Sequence, residues 1–237
     1  MSSHGRLPAV RSQVKNRILL ALPEQEFQHI LPHLAFVGLR LGQVLYDADN
    51  WIDYAYFINS GMASLVAVTP EGETAEIGPI GGEGVLGIHA ACGKDGMFYS
   101  AVVQIPGNAM RIRSDALRYE LQYNAGLSRL MLHYVSGLQL RTSQSANCNL
   151  VHSLEQRVCR WLLTSQDCAH SDRFPVSDKF LSHMLGVARA PLTLTAEALQ
   201  DAGLISCQQS YVRIIDRLGI EARTCGCYQS CERLSRA

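Results

Sequence analysis

The stretch VSDKFLSHMLGVARAPLTLTAEALQDAGLI, residues 176–205, decides how the rest of the chain is read. Phe180, Leu181, Met184 and Leu185 recur at helical spacing, and Leu192, Thr195, Ala196 and Leu199 do so again beyond a break at Gly186-Val187. Ser177 or Asp178 suits the cap of the first helix, where a side-chain oxygen accepts an otherwise unpaired N–H. Pro191 falls in the first turn of the second helix, where its missing N–H costs no hydrogen bond. Gly203, just past Ala202, suits a left-handed stop. Two short helices joined by a turn containing Gly make the helix-turn-helix pattern, whose second helix lies in the DNA major groove. The same spacing also describes a corner in an all-α core.

The pieces FLSHMLGVARAPLT, ALQDAGLI and YVRIIDRLGIE resemble the DNA-binding domain of the Crp/Fnr family of bacterial transcription regulators. HSLEQRVCRWLL (152–163) and YFINSGMASLV (56–66) are similar to that family as well. The resemblance runs from about Leu20 to Tyr228, patchy in the β-rich part and specific in the last third. It implies an α+β fold: an N-terminal β-roll of jelly-roll type, a long dimerisation helix and a C-terminal winged helix-turn-helix.

The bulk properties agree with two modest domains. The chain has 237 residues, 47% of them hydrophobic and 18% charged, an ordinary globular composition. No apolar run reaches the ~18 residues of a membrane span, and the first sixteen residues lack the apolar middle of a signal peptide. A cytoplasmic location is expected. Net charge is zero, so any DNA affinity has to come from a few well-placed cations and has to fall as salt rises. The eight cysteines are Cys92, Cys148, Cys159, Cys168, Cys207, Cys225, Cys227 and Cys231. In the cytosol they are expected as reduced thiols.

Four regions follow from the texture: a loose arm over 1–16, a β-roll over 17–113, a dimerisation helix over 114–147, and the DNA-binding domain over 148–237. Short β-type runs, GQVLY, YAYFIN, MASLVAV, TAEIGPI and SAVVQI, alternate with turns at Asp47-Ala48-Asp49-Asn50, Asn59-Ser60-Gly61 and Pro70-Glu71-Gly72-Glu73. Any small jelly roll reads this way, a cupin included, but His33 and His89 are too isolated to argue for a cupin metal. Between residues 114 and 146, Leu127, Met131, Tyr134 and Leu138 follow the four-three-four spacing of a coiled-coil seam. A helix buried within one chain would look similar; the place between two domains and the resemblance favour a homodimer. The first helix of the DNA-binding domain is read from Leu154, Val158, Trp161 and Leu162, with SQDCAHSDRFP as the loop after it and the hinge near 146–151. Leu204–Cys207 and Tyr211–Ile215 read as the wing, Asp216–Glu221 as the start of a last helix, and 225–237 as a tail.

The resemblance assigns roles. Arg189 matches the arginine that opens the family's recognition helix and meets guanine through a bidentate fork. The acidic residue expected next is Ala190, and a later arginine is Leu194, so this chain departs from the best-known operator readers. Ala190 and Thr193 are candidates for thymine methyl contacts; Ser177, Lys179, Thr193 and the Ala188 backbone N–H are candidates for phosphates. Double-stranded DNA, a second copy of the chain and RNA polymerase are the implied partners, with no membrane.

Cyclic-nucleotide members hold the phosphate at a short helix opened by Gly-Glu and closed by Arg-Ser or Arg-Thr. Here Gly82 and Glu83 stand within GGEGVLG, but the later pair is Tyr99-Ser100, without the cation. Arg141 and Thr142 occupy the positions that meet the purine. A buried anion without a cation is poorly supported, so no cyclic nucleotide is expected through the usual contacts. An iron–sulfur cluster is not expected either, because the N-terminal arm has no cysteine. Haem could use His89 or Cys92, but nothing marks them out. Cys225-x-Cys227-x3-Cys231 is a candidate metal or redox group whose spacing makes a poor zinc site, so no cofactor and no metal are expected. A small-ligand or redox-sensing module with little DNA binding is the alternative function. An enzyme is not expected: there is no Gly-x-Ser-x-Gly, His-Glu-x-x-His or P-loop.

Overall fold

The computed structural model describes residues 10–48, 50–68, 74–91, 93, 98–176 and 178–236, without the side chains of 178–180, 183 and 232–236. The elements run α1 (Arg17–Leu20), α2 (Glu24–Ile30), β1 (Ala35–Leu39), β2 (Val44–Tyr46), β3 (Tyr54–Val68), β4 (Thr74–Ile80), β5 (Val85–Leu86), α3 (Ile88–Ala91) and β6 (Tyr99–Arg113). Then come α4 (Ser114–Tyr123), α5 (Ala125–Val151), α6 (Leu154–Ala169), β7 (Arg173–Pro175), α7 (Asp178–Leu185) and α8 (Arg189–Asp201). The chain closes with β8 (Ile205–Gln208), β9 (Tyr211–Ile214), α9 (Arg217–Arg223) and α10 (Cys227–Arg236).

β3 and β6 pair antiparallel along their whole lengths and carry every other strand of the roll. The first half of β3 and the second half of β6 take β5 and β1; the remaining halves take β4 and β2. The register shifts between Ile58 and Ala63. Bulges bend a sheet, and Leu39, Ile58 and Ala109 from one half meet Tyr46, Leu65 and Val103 from the other in one buried cluster. Asn59-Ser60-Gly61 is therefore not a hairpin turn, as its composition suggests, but the bend inside one strand. Gly61 has φ +83°, and an added Cβ would fall 2.5 Å from the Ile105 carbonyl oxygen. The expected turn at Pro70-Glu71-Gly72-Glu73 lies outside the described residues, as does Asp49.

The outer face of the roll carries Phe57, Val85, Met110 and Ile112 against Ile18, Leu19 and Phe27 of α1 and α2, Leu117 of α4, and Leu127, Met131 and Tyr134 of α5. This corrects two expectations. The segment before residue 17 is not loose from Val10 on: Asn16 is fully buried, caps α1, and donates to the Ile58, Gly82 and Gly84 carbonyls. The seam Leu127, Met131, Tyr134 and Leu138 faces the roll of its own chain. The large apolar residues of α5 left exposed are Leu132, Val135, Leu140, Leu150 and Val151.

The helix expected over 114–146 is two. Asn124 ends α4, and its side chain accepts the Leu127 N–H at the start of α5. α5 runs on to Val151; the break falls at His152-Ser153, where Ser153 and Gln156 form a reciprocal capping box that opens α6. α6 takes up the SQDCA expected as loop, because Ser165 and Gln166 are on its buried face. RFP then forms β7, the third strand of the wing sheet, in the order β7-β9-β8. The expected tail is α10, packed on α5 and α6.

The C-terminal core gathers Val158, Trp161 and Leu162 of α6, Phe174 of β7, Leu181 and Leu185 of α7, Leu192 and Leu199 of α8, and Val212 and Ile214 of β9. Met62 and Ile105, at the bend of the roll, join the same cluster. The C-terminal domain, the head, thus sits on the roll through shared apolar surface.

Candidate functional site

α7 and α8 meet at Gly186, which takes φ +61° as the turn requires. Leu181, Met184 and Leu185 of α7 and Leu192 and Leu199 of α8 are buried and fix both helices to the core. Buried Arg157 of α6 donates to the Leu185 carbonyl at 2.9 Å and the Asn149 carbonyl at 3.2 Å. It thereby pairs acceptors that the last turns of α7 and α5 leave over. The result is a rigid platform with one open end. Ala188 is the N-cap of α8 with extended backbone, and Ala188, Arg189 and Ala190 are exposed. Thr193 is half-buried, and its hydroxyl donates to the Arg189 carbonyl. The unpaired N–H groups of Ala188, Arg189 and Ala190 and the positive end of the helix dipole point where Arg189 stands, Pro191 having no N–H to add. Ser177 and the Lys179 side chain lie outside the described residues; Lys179 itself is in α7.

Beside this platform β8 and β9 form the wing, turning at Gln209 and Ser210, both at positive φ. Arg173 of β7 stands over the Tyr211 ring at 4.6 Å and is paired in register with Arg213. Both arginines are exposed. The sequence reading named neither: Arg173 lay in a stretch read as loop, and Arg213 in a wing strand no residue of which was singled out.

The second candidate region lies where roll, α5 and head meet, in a cleft of about 820 Å³. Gly82, Glu83, Arg141 and Thr142 line it, opposite Gln166, Asp167 and Arg217 of the head. Arg141 Nη1 donates to Glu83 Oε1 at 2.9 Å, with both side chains largely buried. Burial is the largest single influence on Arg141 and works against its charge, but Glu83, Tyr134 and Cys231 together outweigh it and raise the guanidinium above its ordinary value. The glycine loop is engaged from within the chain: Asn16 and Arg17 donate to the Gly82 carbonyl, and Tyr134 donates to the Val85 carbonyl.

Tyr99 and Ser100 are not part of this lining. Tyr99 is buried with the roll interior, edge-on to His89 and Phe98. Burial pushes its hydroxyl up to about 12, so it is neutral and uncharged at ordinary pH. Ser100 donates to Asp47 and accepts from the Ala48 N–H. The structure therefore brings together four of the six expected effector residues and holds the other two in a separate place.

Among the described residues no helix is long and apolar enough to cross a membrane. No curated protein sequence matches the chain. Residues 36–124 match the model of the cyclic nucleotide-binding domain, and residues 156–223 match that of the Crp-like helix-turn-helix domain. The fold is similar to FixK2 from Bradyrhizobium japonicum (14% identity, 81% of this chain and 98% of that one, TM-score 0.66). It is similar also to the c-di-GMP-responsive global regulator CLP of Xanthomonas campestris (16%, 82% and 100%, 0.65). A third such structure is TTHA1359, a CRP/FNR-family regulator of Thermus thermophilus (18%, 85% and 98%, 0.59). With a cyclic nucleotide-binding-type roll and a Crp-like helix-turn-helix following one another along most of its length, this chain belongs to the Crp/Fnr family of transcription regulators and is not an enzyme.

Proposed function

We propose that the chain acts as a homodimer that binds a pseudo-palindromic operator, one α8 per half-site, without a cyclic nucleotide held through the family's usual contacts. The observation that carries this reading is the open first turn of α8. Arg189 and Ala190 are exposed there, while Leu192 and Leu199 anchor the same helix in the core. Arg189 reads a guanine; Ala190 and Thr193 meet thymine methyls. The Ala188 N–H, Ser177, Lys179 and the Thr193 hydroxyl lie against phosphates. The exposed apolar residues of α5, Leu132 and Leu140 among them, supply the face for a second copy. RNA polymerase is the partner a promoter-bound regulator of this family would meet, from the cytoplasm. The Arg141–Glu83 pair and the neutral Tyr99 support the reading on effector: the Arg141 cation near the glycine loop is already neutralised from within the chain.

The test is footprinting on the region upstream of the protein's own gene, at two salt concentrations, with and without cyclic AMP. A specific footprint that weakens as salt rises and ignores cyclic AMP is expected. Arg189→Ala loses about ten- to a hundredfold of specific affinity, the cost of one bidentate base contact, and leaves the dimer intact. An unchanged footprint in that variant removes Arg189 from base reading. A footprint appearing only with cyclic AMP overturns the effector reading. Weak retention indifferent to sequence at all salts favours the ligand- or redox-module alternative.

A further inference from the structure

We infer that Cys148, His152, Cys225 and Cys227 form a binding site for one soft divalent cation of the zinc type, joining the end of α5 to the start of α10. Cys148 is in the last turn of α5 and is fully buried; His152 is the residue that ends the helix. Cys225 and Cys227 flank Gly226 between α9 and α10, each 4% exposed. The four donor atoms lie within 4.8 Å of one another. Cys148 Sγ and Cys225 Sγ are 3.6 Å apart, and Cys227 Sγ is 3.6 Å from His152 Nδ1.

Those distances fit a shared ion. Zinc holds thiolate sulfur at about 2.3 Å and imidazole nitrogen at about 2.0–2.1 Å, so the edges of its tetrahedron are about 3.5–3.8 Å. A disulfide would need about 2.05 Å. A multi-iron cluster distributes its thiolates around several metal atoms and wants four of them. Three thiolates with one imidazole are a common structural zinc set, and soft sulfur donors exclude magnesium and calcium.

The surroundings fit too. The three cysteines form a small buried cluster of their own, apart from the three large cores. Gln144 Nε2 donates to Cys227 Sγ at 2.9 Å, an outer-shell hydrogen bond of the kind that orients a ligand. Three thiolates around a divalent ion leave one negative charge, and the Arg160 guanidinium acts on Cys148 from nearby.

Sequence spacing hid this site. It set Cys225, Cys227 and Cys231 together and found no histidine. The fold returns α10 to the end of α5, which brings in Cys148 and His152 from more than seventy residues upstream, while Cys231 turns toward the cleft. For these cysteines the expectation of no metal came from reading the tail without Cys148 and His152. α5 is fixed to the roll and α10 belongs to the head, so the ion sets the pose of the head on its supporting helix. That consequence, unlike the site itself, rests on the DNA-binding reading.

The experiment is metal analysis of the full-length protein purified without chelator, followed by cobalt(II) substitution. About one zinc per chain is expected. The cobalt form should show the intense ligand-field bands of a tetrahedral site with sulfur-to-cobalt charge transfer. Cys225→Ser and Cys148→Ser lose those bands. His152→Ala, at a half-buried position, keeps the circular dichroism of the fold and weakens cobalt binding, so a folding defect in a cysteine variant leaves the test intact. Cys231→Ser retains metal. Absence of the bands from the cobalt-treated wild type, their persistence in Cys225→Ser, or their loss in Cys231→Ser overturns the assignment. None of these readouts involves DNA, so a failed operator assay does not touch them.

Discussion

At the bend of the roll, single residues carry backbone that no other side chain would allow. A Cβ at Gly61 would meet the Ile105 and Pro106 carbonyl oxygens at 2.5 and 2.8 Å, on top of a left-handed φ. Those are backbone atoms of the paired strand, so relief requires moving β6. Gly42 has φ +73° but nothing within 4 Å of an added Cβ. Gly61→Ala is therefore expected to cost about 3 kcal/mol or more, and Gly42→Ala about 1 kcal/mol, the strain alone. Urea denaturation of the two variants compares them directly; equal losses would mean that the close approach at Gly61 relaxes freely. Asn16 is fixed by its side chain instead of its backbone. Its amide donates to three carbonyls, one on β3 and two on the loop between β4 and β5, and its oxygen caps α1. Asn16→Ala removes all of these in the interior and is expected to cost about 2–4 kcal/mol. A loss below about 1 kcal/mol would show that water replaces the side chain.

Among the elements, α5 separates what the sequence could tell from what it could not. The four-three-four spacing of Leu127, Met131, Tyr134 and Leu138 identifies a helix with an apolar stripe, but a stripe carries no label for what it faces. Here it faces the roll, where Gly84 leaves room for the Tyr134 ring. The helix-turn-helix was legible to within a residue or two, because Gly186, Pro191 and Gly203 punctuate it with rules that act locally. The bend at Asn59-Ser60-Gly61 looked like a turn because a bulge and a hairpin ask for the same residues; only the fifteen-residue partner β6 distinguishes them. Arg189 was named from the family resemblance, and it stands in the first turn of α8. The Arg141–Glu83 pair was not, since 58 residues separate the partners. Neighbouring residues of α5 then make opposite predictions. Met131 is 3% exposed and Leu132 is 72% exposed. Met131→Ala is expected to lower stability by about 2–5 kcal/mol. Leu132→Arg is expected to leave the unfolding midpoint of the protomer nearly unchanged and to shift the proposed homodimer toward monomer in sedimentation. A Leu132→Arg protein that sediments as the wild type would place the dimer contact elsewhere.

Across the whole molecule, the head and the roll share an interface that holds one titratable group with an unusual proton affinity. Glu76 of β4 is half-buried as a residue, and its carboxyl end is the covered part. It accepts a short hydrogen bond from the fully buried Ser64 and lies near Arg160 and Trp161 of α6. Burial pushes its pKa up to about 7, against the opposing pull of Ser64, Arg160 and Trp161. A carboxyl raised in the folded state binds its proton more tightly there than in the unfolded chain. Its contribution is therefore fully present at acid pH, below the ordinary carboxylate value, and is lost as pH rises through about 7. The shift bounds the effect at about 3 kcal/mol. Above neutral pH the ionised Glu76 has to be hydrated or pulled from under α6, which loosens the head on the roll where Met62 and Ile105 join its core. Stability should thus decline from about pH 5 to about pH 8 in the wild type, and the decline should flatten in Glu76→Gln, which keeps the oxygen that Ser64 bonds but cannot ionise. Denaturation curves at several pH values measure both slopes. Equal slopes in the two proteins would mean that the carboxyl is already hydrated in the folded state and that the head's seat on the roll does not respond to pH through Glu76.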